Sequence, residues 1–396
     1  MLAKDMDLYI AGGSIIRAMF EDGLRLARRV GPENVHDFSL GNPNSPVPPE
    51  FNDAVRAVLD EEDSSFVHGY MTNAGYPDVR TAVAEDLNAR FGGDYTAENV
   101  LMTAGAAPAM NIIFRTLLDP GDEVLVFSPF FPEYTYYVRN AGGVLRPVSA
   151  DRRTFQPDPK ALRAAIGPKV KALLINNPNN PTGAVYREEI LRAVADVLTE
   201  RSRSLGRPIY LVSDEPYREL VYEGAAAPWL PSLYPDTVVG YSWSKSLSVP
   251  GERIGYLLIP SSCADFPRMF LAAMTVARTA GYVNAPSLMQ RTIRRCLDVW
   301  SDVGFYDRNR RTLCTALSDM GFRFAPPEGA FYLWLKVPDG DSAAFVRRAF
   351  SHNILLGDGT GFGCPGYVRL SYCVSHERIL RALPAFEMLA NEYNLK

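Results

Sequence analysis

The sequence predicts an α/β protein with a mainly parallel central sheet. Residues 170–175, 208–213 and 237–240 are short apolar runs in which apolar and polar residues do not alternate. This pattern is typical of parallel strands that are covered on both faces. Two segments with helical spacing of apolar residues, 158–166 and 188–200, lie on either side of the first run. Strands that alternate with helices along a chain indicate this fold class.

Length and composition indicate a globular protein of two domains. The chain has 396 residues, of which 47% are apolar and 22% charged, and its net charge is −4. This balance provides no basic field for nucleic acid. The five cysteines form no C-x-x-C pair, so we expect reduced thiols and no metal site. Because no apolar leader and no apolar run of roughly 18 residues is present, we expect a cytoplasmic protein without a membrane span.

The N-terminal part contains predicted helices and a proline-rich connection. Helices are expected at 15–30, with Ser14 as N-cap, and at 49–59 and 77–91. The connection FSLGNPNSPVPPE excludes regular structure between the first two helices.

Two further strands end in loops that could bind a ligand. A strand at 99–103 runs through small residues into a helix at 108–118, a geometry that directs free backbone N–H groups at an anion. A strand at 123–127 ends in the aromatic loop SPFFPEY. Phe130 and Phe131 would ordinarily be buried core residues, but Pro129 and Pro132 place them in a loop at a strand end.

Polar side chains follow three of the predicted parallel strands. Asn177 and Asn180 follow the first, Asp214 and Tyr217 the second, and Ser242 and Lys245 the third. Ligands of such sheets bind outside the carboxyl ends of the strands. We therefore expect these side chains to converge in space.

The chemistry of this set points to one cofactor. A single lysine in a serine-rich loop is usually a solvated one, but a deprotonated Lys245 can form an imine with an aldehyde. Asp214 needs a cationic partner, and Tyr217 and Asn180 offer hydrogen bonds. A phosphate cradle is predicted from Gly105, Ala106, Ala107, Ser242, Ser244 and Arg253. An aldehyde, a basic ring nitrogen, a hydroxyl and a phosphate on one molecule describe pyridoxal 5′-phosphate.

Five motifs, in order, carry a family resemblance: NNPNNPTG, SDEPY, SWSKSLSVPGERIGY, PEGAFYLW and GYVRLS. With them the chain resembles the class I aminotransferases, the fold-type I pyridoxal-phosphate enzymes of the aspartate aminotransferase type, over almost its whole length. The resemblance implies a large domain with a mainly parallel seven-stranded sheet. It also implies the domain ranges 1–47 (N-terminal arm and part of the small domain), 48–294 (large domain) and 295–396 (C-terminal small domain).

The resemblance implies a role for each matching residue. Lys245 would hold the cofactor as a Schiff base and then act as general acid and base, and Asp214 would keep the ring nitrogen protonated. The remaining cofactor contacts would come from Asn180 and Tyr217 at the ring hydroxyl, Phe131 on the ring, the phosphate cradle above, and Tyr70 of a second subunit. The alternative is that Phe131 belongs to the core and that Phe130 or Tyr134 stacks on the ring.

Substrate binding is implied in the same way. Arg369 would bind the α-carboxylate, with Gly41 nearby, and the active site would lie at a homodimer interface. Arg278 of the partner subunit is a candidate for binding a side-chain carboxylate, with a solvated helix-end arginine as the alternative. Gly357 and Asp358 stand where relatives carry an apolar residue and proline, so Asp358 is a further candidate substrate contact.

The predicted function is transfer of an amino group between an L-amino acid and a 2-oxo acid such as 2-oxoglutarate. The alternative is a pyridoxal-phosphate enzyme for β- or γ-elimination or replacement on an amino acid such as S-adenosylmethionine. A cofactor-binding regulator ranks below both, because no region of the sequence resembles an appended DNA-binding segment. The expected partners are therefore small-molecule substrates and a second copy of the chain, without nucleic acid or membrane.

Overall fold

The computed structural model describes residues 15–395, of which 15–20 by backbone alone, together with Leu2, Met6, Asp7, Tyr9 and Ile10. The expected N-cap Ser14 lies outside the described residues. The strands in chain order are β1 (His36–Asp37), β2 (Val100–Thr103), β3 (Glu123–Ser128), β4 (Val144–Ser149), β5 (Val170–Asn176), β6 (Tyr210–Asp214), β7 (Thr237–Ser242), β8 (Gly255–Leu258), β9 (Arg323–Phe324), β10 (Tyr332–Lys336), β11 (Ile354–Leu355), β12 (Gly357–Asp358) and β13 (Tyr367–Ser371).

The α-helices from residue 15 onward are α1 (Ile15–Val30), α2 (Pro49–Glu61), α3 (Ser64–Val67), α4 (Pro77–Phe91), α5 (Ala106–Leu117), α6 (Tyr134–Asn140), α7 (Pro159–Ala165), α8 (Glu188–Leu205), α9 (Trp243–Ser246), α10 (Arg268–Thr279), α11 (Ser287–Arg294), α12 (Val303–Asp319), α13 (Ser342–Ser351) and α14 (His376–Glu392). None of the helices within the described part of the chain is long and apolar enough to cross a lipid bilayer.

A seven-stranded sheet forms the centre of the molecule. Its strand order is β2-β8-β7-β6-β5-β3-β4, and β8 alone runs antiparallel to both of its neighbours. The prediction of an α/β fold with a mainly parallel seven-stranded sheet is therefore confirmed.

The apolar runs of the sequence are explained by cores on both faces of this sheet. In β5, Ala172 and Leu174 pack in one buried cluster, whereas Leu173 and Ile175 pack in another. Successive side chains of a strand point to opposite faces. A strand with helices on both faces therefore needs apolar residues at consecutive positions.

A smaller sheet of order β12-β13-β10-β9 packs beside the first, and all of its pairings are antiparallel. Near it, β1 pairs in parallel with β11, so that His36 lies opposite Ile354. Residues from the two ends of the chain thus join in one unit. The domain boundaries after residues 47 and 294 stay a prediction.

Gly255 at the start of β8 provides a test of this packing. A Cβ atom there would lie 2.2 Å from the carbonyl oxygen of Tyr241 and 3.0 Å from the Cα atom of Gly105. Because both obstacles are backbone atoms, Gly255→Ala should lower the free energy of unfolding by about 1–3 kcal/mol, the usual cost of overpacking. Urea denaturation measures this change.

Gly251→Ala is the matched control, because a Cβ atom at Gly251 meets nothing within 4 Å. If both variants unfold at the same urea concentration as the wild type, this result contradicts the close packing of β8 against Gly105.

Candidate active site

A cavity of about 290 Å³ opens at the carboxyl ends of β5, β6 and β7. It brings together most of the side chains that the sequence singled out. The predicted residues that line it are Gly41, Ala106, Ala107, Phe131, Asn180, Asp214, Tyr217, Ser242, Ser244, Lys245, Arg253 and Arg369. Gly105 lies beside them, since a Cβ atom on it would lie 2.6 Å from Nη2 of Arg253.

Lys245 lies on the single-turn helix α9 that directly follows β7. Its Nζ donates a hydrogen bond of 2.8 Å to the carbonyl oxygen of Gly41. Burial lowers the pKa of Lys245 to about 8, and the positive charges of Arg253 and Arg369 act in the same direction. The amine is therefore neutral, and nucleophilic, in a far larger fraction of molecules near neutral pH than an ordinary lysine.

Asp214 ends β6 and is buried. Its Oδ2 accepts a hydrogen bond of 2.5 Å from the hydroxyl of Tyr134, whereas its Oδ1 is buried and has no hydrogen-bond partner in the described structure. Burial raises the pKa of Asp214 to about 7, while the Tyr134 hydrogen bond opposes the rise. A cation that reached Oδ1 would compensate this carboxylate, and the protonated ring nitrogen of pyridoxal phosphate is such a cation.

The N-terminus of α5 and Arg253 form the predicted anion cradle. Gly105 precedes the helix with φ of 93°, and no side chain caps the first turn. Arg253 is fixed by hydrogen bonds of its guanidinium to the carbonyl oxygens of Pro250 and Ala104. Helix N–H groups and a fixed arginine fit a phosphate group.

Arg369 lies on β13 and is only 1% exposed. Its Nη1 donates to Oδ1 of Asn180 over 3.0 Å, and its Nη2 donates to the carbonyl oxygen of Ser39 over 2.5 Å. Its guanidinium carbon lies 4.7 Å from the ring centre of Tyr332. These contacts hold a planar cation at the cavity wall, where it can bind a carboxylate with two parallel hydrogen bonds.

The hydroxyl of Tyr217 lies 2.8 Å from that of Tyr332 and accepts a longer hydrogen bond, 3.5 Å, from Nδ2 of Asn180. Burial raises the pKa of Tyr217 well above its usual value. The phenol therefore remains protonated and can donate a hydrogen bond into the cavity.

Asn177 was expected to converge with the other strand-end side chains, but it does not line the cavity, and its Oδ1 accepts a hydrogen bond from the backbone N–H of Tyr186.

Three further predicted site residues lie outside the cavity of this chain. Tyr70 is 94% exposed, and Arg278 is exposed in the last turn of α10. Asp358 does not line the cavity, because Oδ1 of its carboxylate accepts hydrogen bonds from Oγ of Ser342 and the backbone N–H of Thr360. It caps a 3₁₀ turn, Gly359–Phe362, instead of facing the substrate space.

The aromatic loop 128–134 is divided between the core and the site. Phe131 lines the cavity, whereas Phe130 packs in a core cluster. Tyr134 is the partner of Asp214, a role that the sequence did not indicate. Tyr332 was also missed as a lining residue, although it lies within the motif PEGAFYLW. Among the described residues, no group of histidine, cysteine and acidic side chains could hold a metal ion.

Comparison with known proteins defines the family. The model of the family described as aminotransferase class I and II matches residues 33–386. A probable aspartate/prephenate aminotransferase of Thermus aquaticus is 34% identical over 91% of this chain and 92% of its own length. An aspartate aminotransferase of Thermotoga maritima is 33% identical, with 91% of this chain and 92% of its own covered.

Solved structures agree with this assignment. An aminotransferase of Eubacterium rectale superimposes with a TM-score of 0.96 and 42% identity over 100% of both chains. The aspartate aminotransferase of Thermus thermophilus with maleate superimposes with a TM-score of 0.85 and 31% identity, over 95% of this chain and 97% of the other chain.

The chain therefore belongs to the class I and II aminotransferases. It is a fold-type I enzyme that transfers amino groups, and the matches favour this activity over the elimination or replacement alternative.

Asp214 generates a prediction for the protein without cofactor. Between about pH 4 and pH 7 the folded protein retains a proton on Asp214 that the unfolded chain releases. The free energy of unfolding of the wild type should therefore fall as pH rises through this window. Asparagine at position 214 does not titrate, so Asp214→Asn should not show this fall. Its free energy of unfolding should therefore increase relative to that of the wild type, by on the order of a few kcal/mol, as the pH rises from 5 to 8.

Urea denaturation at pH 5 and at pH 8 measures the difference in free energy of unfolding between Asp214→Asn and the wild type. Asp53→Asn is the control, because Asp53 is an exposed carboxylate in a surface ion pair. A difference between Asp214→Asn and the wild type that is the same at both pH values would contradict a pKa of Asp214 near 7 in the folded protein.

Proposed function

We propose that the cavity binds pyridoxal 5′-phosphate and uses it to move an amino group between an L-amino acid and a 2-oxo acid. The observation that carries the proposal is the unpaired buried Oδ1 of Asp214 in the same cavity as the amine of Lys245. The first needs a cation, and the second is a nucleophile. The anion cradle at α5 supplies the third feature that this cofactor requires.

When bound, pyridoxal phosphate supplies an electrophilic carbonyl carbon and a cationic ring that accepts electrons from the substrate. Gly105, Ala106, Ala107, Ser242, Ser244 and Arg253 hold its phosphate in this proposal. Phe131 packs on the ring, and the hydroxyl of Tyr217 and the amide of Asn180 bind the ring hydroxyl. Asp214 keeps the ring nitrogen protonated, and Tyr134 orients Asp214 through Oδ2.

Lys245 has two tasks in this proposal. Its Nζ would hold the cofactor covalently, and its amine would carry the proton to and from the α-carbon of the substrate. Gly41 holds Nζ through its carbonyl oxygen at 2.8 Å. A Cβ atom on Gly41 would lie 2.1 Å from the hydroxyl of Tyr332, so glycine lets the chain pass between the lysine and this tyrosine.

Arg369 binds the α-carboxylate of the substrate. Because Asn180 and the carbonyl oxygen of Ser39 already hold the guanidinium, little side-chain freedom is lost when the substrate binds. The buried Nε of Arg369 has no hydrogen-bond partner in the described structure. Binding of the α-carboxylate at Arg369 directs the α-amino group of the substrate to the part of the cavity that contains Lys245.

We further propose that two copies of the chain share the site. The support is the 94% exposure of Tyr70, a large aromatic side chain that in this proposal reaches the phosphate of the partner subunit. The domain ranges 1–47, 48–294 and 295–396 are part of the same proposal.

The substrate proposal follows the relatives. Two of them are named as aspartate/prephenate or aspartate aminotransferases, and a third was solved with the dicarboxylate maleate. We propose that this enzyme also takes an amino acid with a side-chain carboxylate, and that Arg278 of the partner subunit binds this group.

The attachment of the cofactor to Lys245 is the first test. Because only the neutral amine reacts, the rate at which borohydride traps pyridoxal phosphate on the protein should rise with pH and level off above about 8. Peptide mapping should place the label on Lys245. Lys245→Ala should take up no label at this position and lose turnover, whereas Lys160→Ala, at an exposed lysine, should behave as the wild type.

A single-turnover assay then tests the reaction itself. The loaded enzyme, given an amino acid and no acceptor, should release one 2-oxo acid per site and no ammonia. A label on another lysine, or release of ammonia, contradicts the proposed site or the proposed reaction, respectively.

Arg278 provides a separate test of substrate and dimer. Arg278→Leu should lower kcat/KM for aspartate by about a hundredfold or more, because a buried carboxylate loses its bidentate partner. Reaction with alanine should be nearly unchanged. Arg268→Leu, at an exposed arginine at the other end of α10, should change neither.

Mixed dimers decide whether the arginine acts across the interface. A dimer of one Lys245→Ala and one Arg278→Leu subunit contains one site with both Lys245 and a partner Arg278. It should therefore recover aspartate activity that neither parent has. Equal losses of kcat/KM for aspartate and alanine in Arg278→Leu, or no recovery on mixing, would contradict the proposed role.

A further inference from the structure

A buried cluster of charged side chains follows Asp214 directly in the sequence and has no task in the proposed reaction. It consists of Glu215, Arg218 and Glu219, whose side chains are 4%, 5% and 8% exposed. Nε of Arg218 lies 3.4 Å from Glu215 and 3.5 Å from Glu219. None of the three lines the cavity.

Aromatic rings hold the guanidinium of Arg218. Its central carbon lies 4.3 Å from the ring centre of Tyr241, 5.2 Å from that of Trp229 and 5.3 Å from that of Phe91. Its Nε and Nη1 make no hydrogen bond in the described structure. Burial of an ion pair contributes little to stability. The main effect of Arg218 is therefore expected on the residues that it holds in place.

Arg218 joins the strands that carry the site. Its Nη2 donates a hydrogen bond of 2.7 Å to the hydroxyl of Tyr256, a residue of β8, the strand that begins just after Arg253. The ring of Tyr241, on which the guanidinium lies, stacks on that of Tyr256 with centroids 5.0 Å apart.

Tyr241 extends the connection to Lys245. Its hydroxyl donates to Glu219 over 3.0 Å and lies 2.8 Å from Oγ of Ser246, the residue after Lys245. Tyr241 and Ser242 are neighbours on β7 and point to opposite faces of the sheet. The cluster therefore packs against the same strand ends that form the cavity, but on the opposite face of the sheet.

A third connection leads to Asp214. Glu215 is the next residue, and its Oε1 accepts a hydrogen bond of 2.7 Å from Oγ of Ser213. The backbone N–H of Glu215 donates to the carbonyl oxygen of Gly240 on β7. Movement of Glu215 would therefore move the end of β6 relative to β7.

We propose that Arg218 is a positioning residue that fixes the placement of Asp214, Lys245 and Arg253 relative to one another, and hence the orientation of the bound cofactor. The inference rests on the proposed function, because it concerns the same cofactor site. Arginine suits this task because its planar guanidinium stacks on aromatic rings and donates in fixed directions at the same time. The ammonium group of lysine has neither property.

The test compares Arg218→Met and Arg218→Lys with a matched control, Arg310→Met. Arg310 is also a buried arginine, with ion pairs to Asp307 and Glu223 and a tyrosine ring 5.1 Å away. It lies on α12, which carries none of the proposed site residues. Both positions thus lose the same kind of buried cation, but only one of them connects to the site.

Two quantities are measured on purified protein. The first is the dissociation constant of pyridoxal phosphate, from quenching of protein fluorescence. The second is the circular dichroism of the visible absorbance band of the bound cofactor, which reports its orientation. Arg218→Met and Arg218→Lys should bind the cofactor about tenfold more weakly or worse, as expected when supporting residues behind a bound group are lost, and should change the dichroism band. Arg310→Met should lower the unfolding temperature and change neither quantity.

Each outcome decides one question. If Arg218→Met binds the cofactor as tightly as the wild type and with the same dichroism band, the positioning role is wrong. If Arg218→Met does not fold, Tyr256→Phe, which removes only the 2.7 Å hydrogen bond, replaces it with the same criteria. If the wild type itself fails to bind pyridoxal phosphate at Lys245, the proposed function fails instead.

Discussion

The structure depends on one electrostatic constraint, a carboxylate that is buried at the end of a central strand with one oxygen unpaired. Tyr134 satisfies one oxygen of Asp214, and the other remains without a partner in the described structure. Such a group is costly in an apolar interior unless a cation reaches it. The parallel sheet explains its location, since the carboxyl ends of neighbouring strands bring Asp214, Asn180 and Lys245 to one edge.

The rest of the cavity has the opposite charge. Lys245, Arg253 and Arg369 all line it, and each is held separately by backbone carbonyl oxygens or by Asn180. Three cations in one small cavity repel one another, and two of them help to lower the pKa of Lys245. This arrangement fits ligands with two separate anionic groups, a phosphate at the helix end and a carboxylate at Arg369. Burial, with this repulsion as a smaller contribution, lowers the pKa of Lys245 and keeps its amine reactive.

Sequence reasoning succeeded where a pattern reflects a local cause. The apolar runs of β5, β6 and β7 predicted buried parallel strands, because their apolar residues face a core on one side or the other. It was less successful where a side chain had more than one possible partner. Asp358 was expected near the substrate, but its carboxylate is satisfied by Ser342 and the backbone of Thr360. A short-range cap of this kind cannot be distinguished from a binding residue without the fold.

The sequence by itself determined the family, five of the seven strands of the central sheet with the helices between them, and the types of group that meet at the sheet edge. These follow from motifs and from periodicity, which are properties of neighbouring residues. Only the tertiary structure decided which buried polar atoms lack a hydrogen-bond partner and which side chains contact the site residues. The contacts of Tyr134 with Asp214, of Tyr332 with Tyr217, and of Arg218 with both Tyr241 and Tyr256 join positions that are distant in the sequence or depend on the stacking of strands. The physical reason is that hydrogen bonds and ring contacts depend on distances of a few ångströms, which the chain sets only when it is folded.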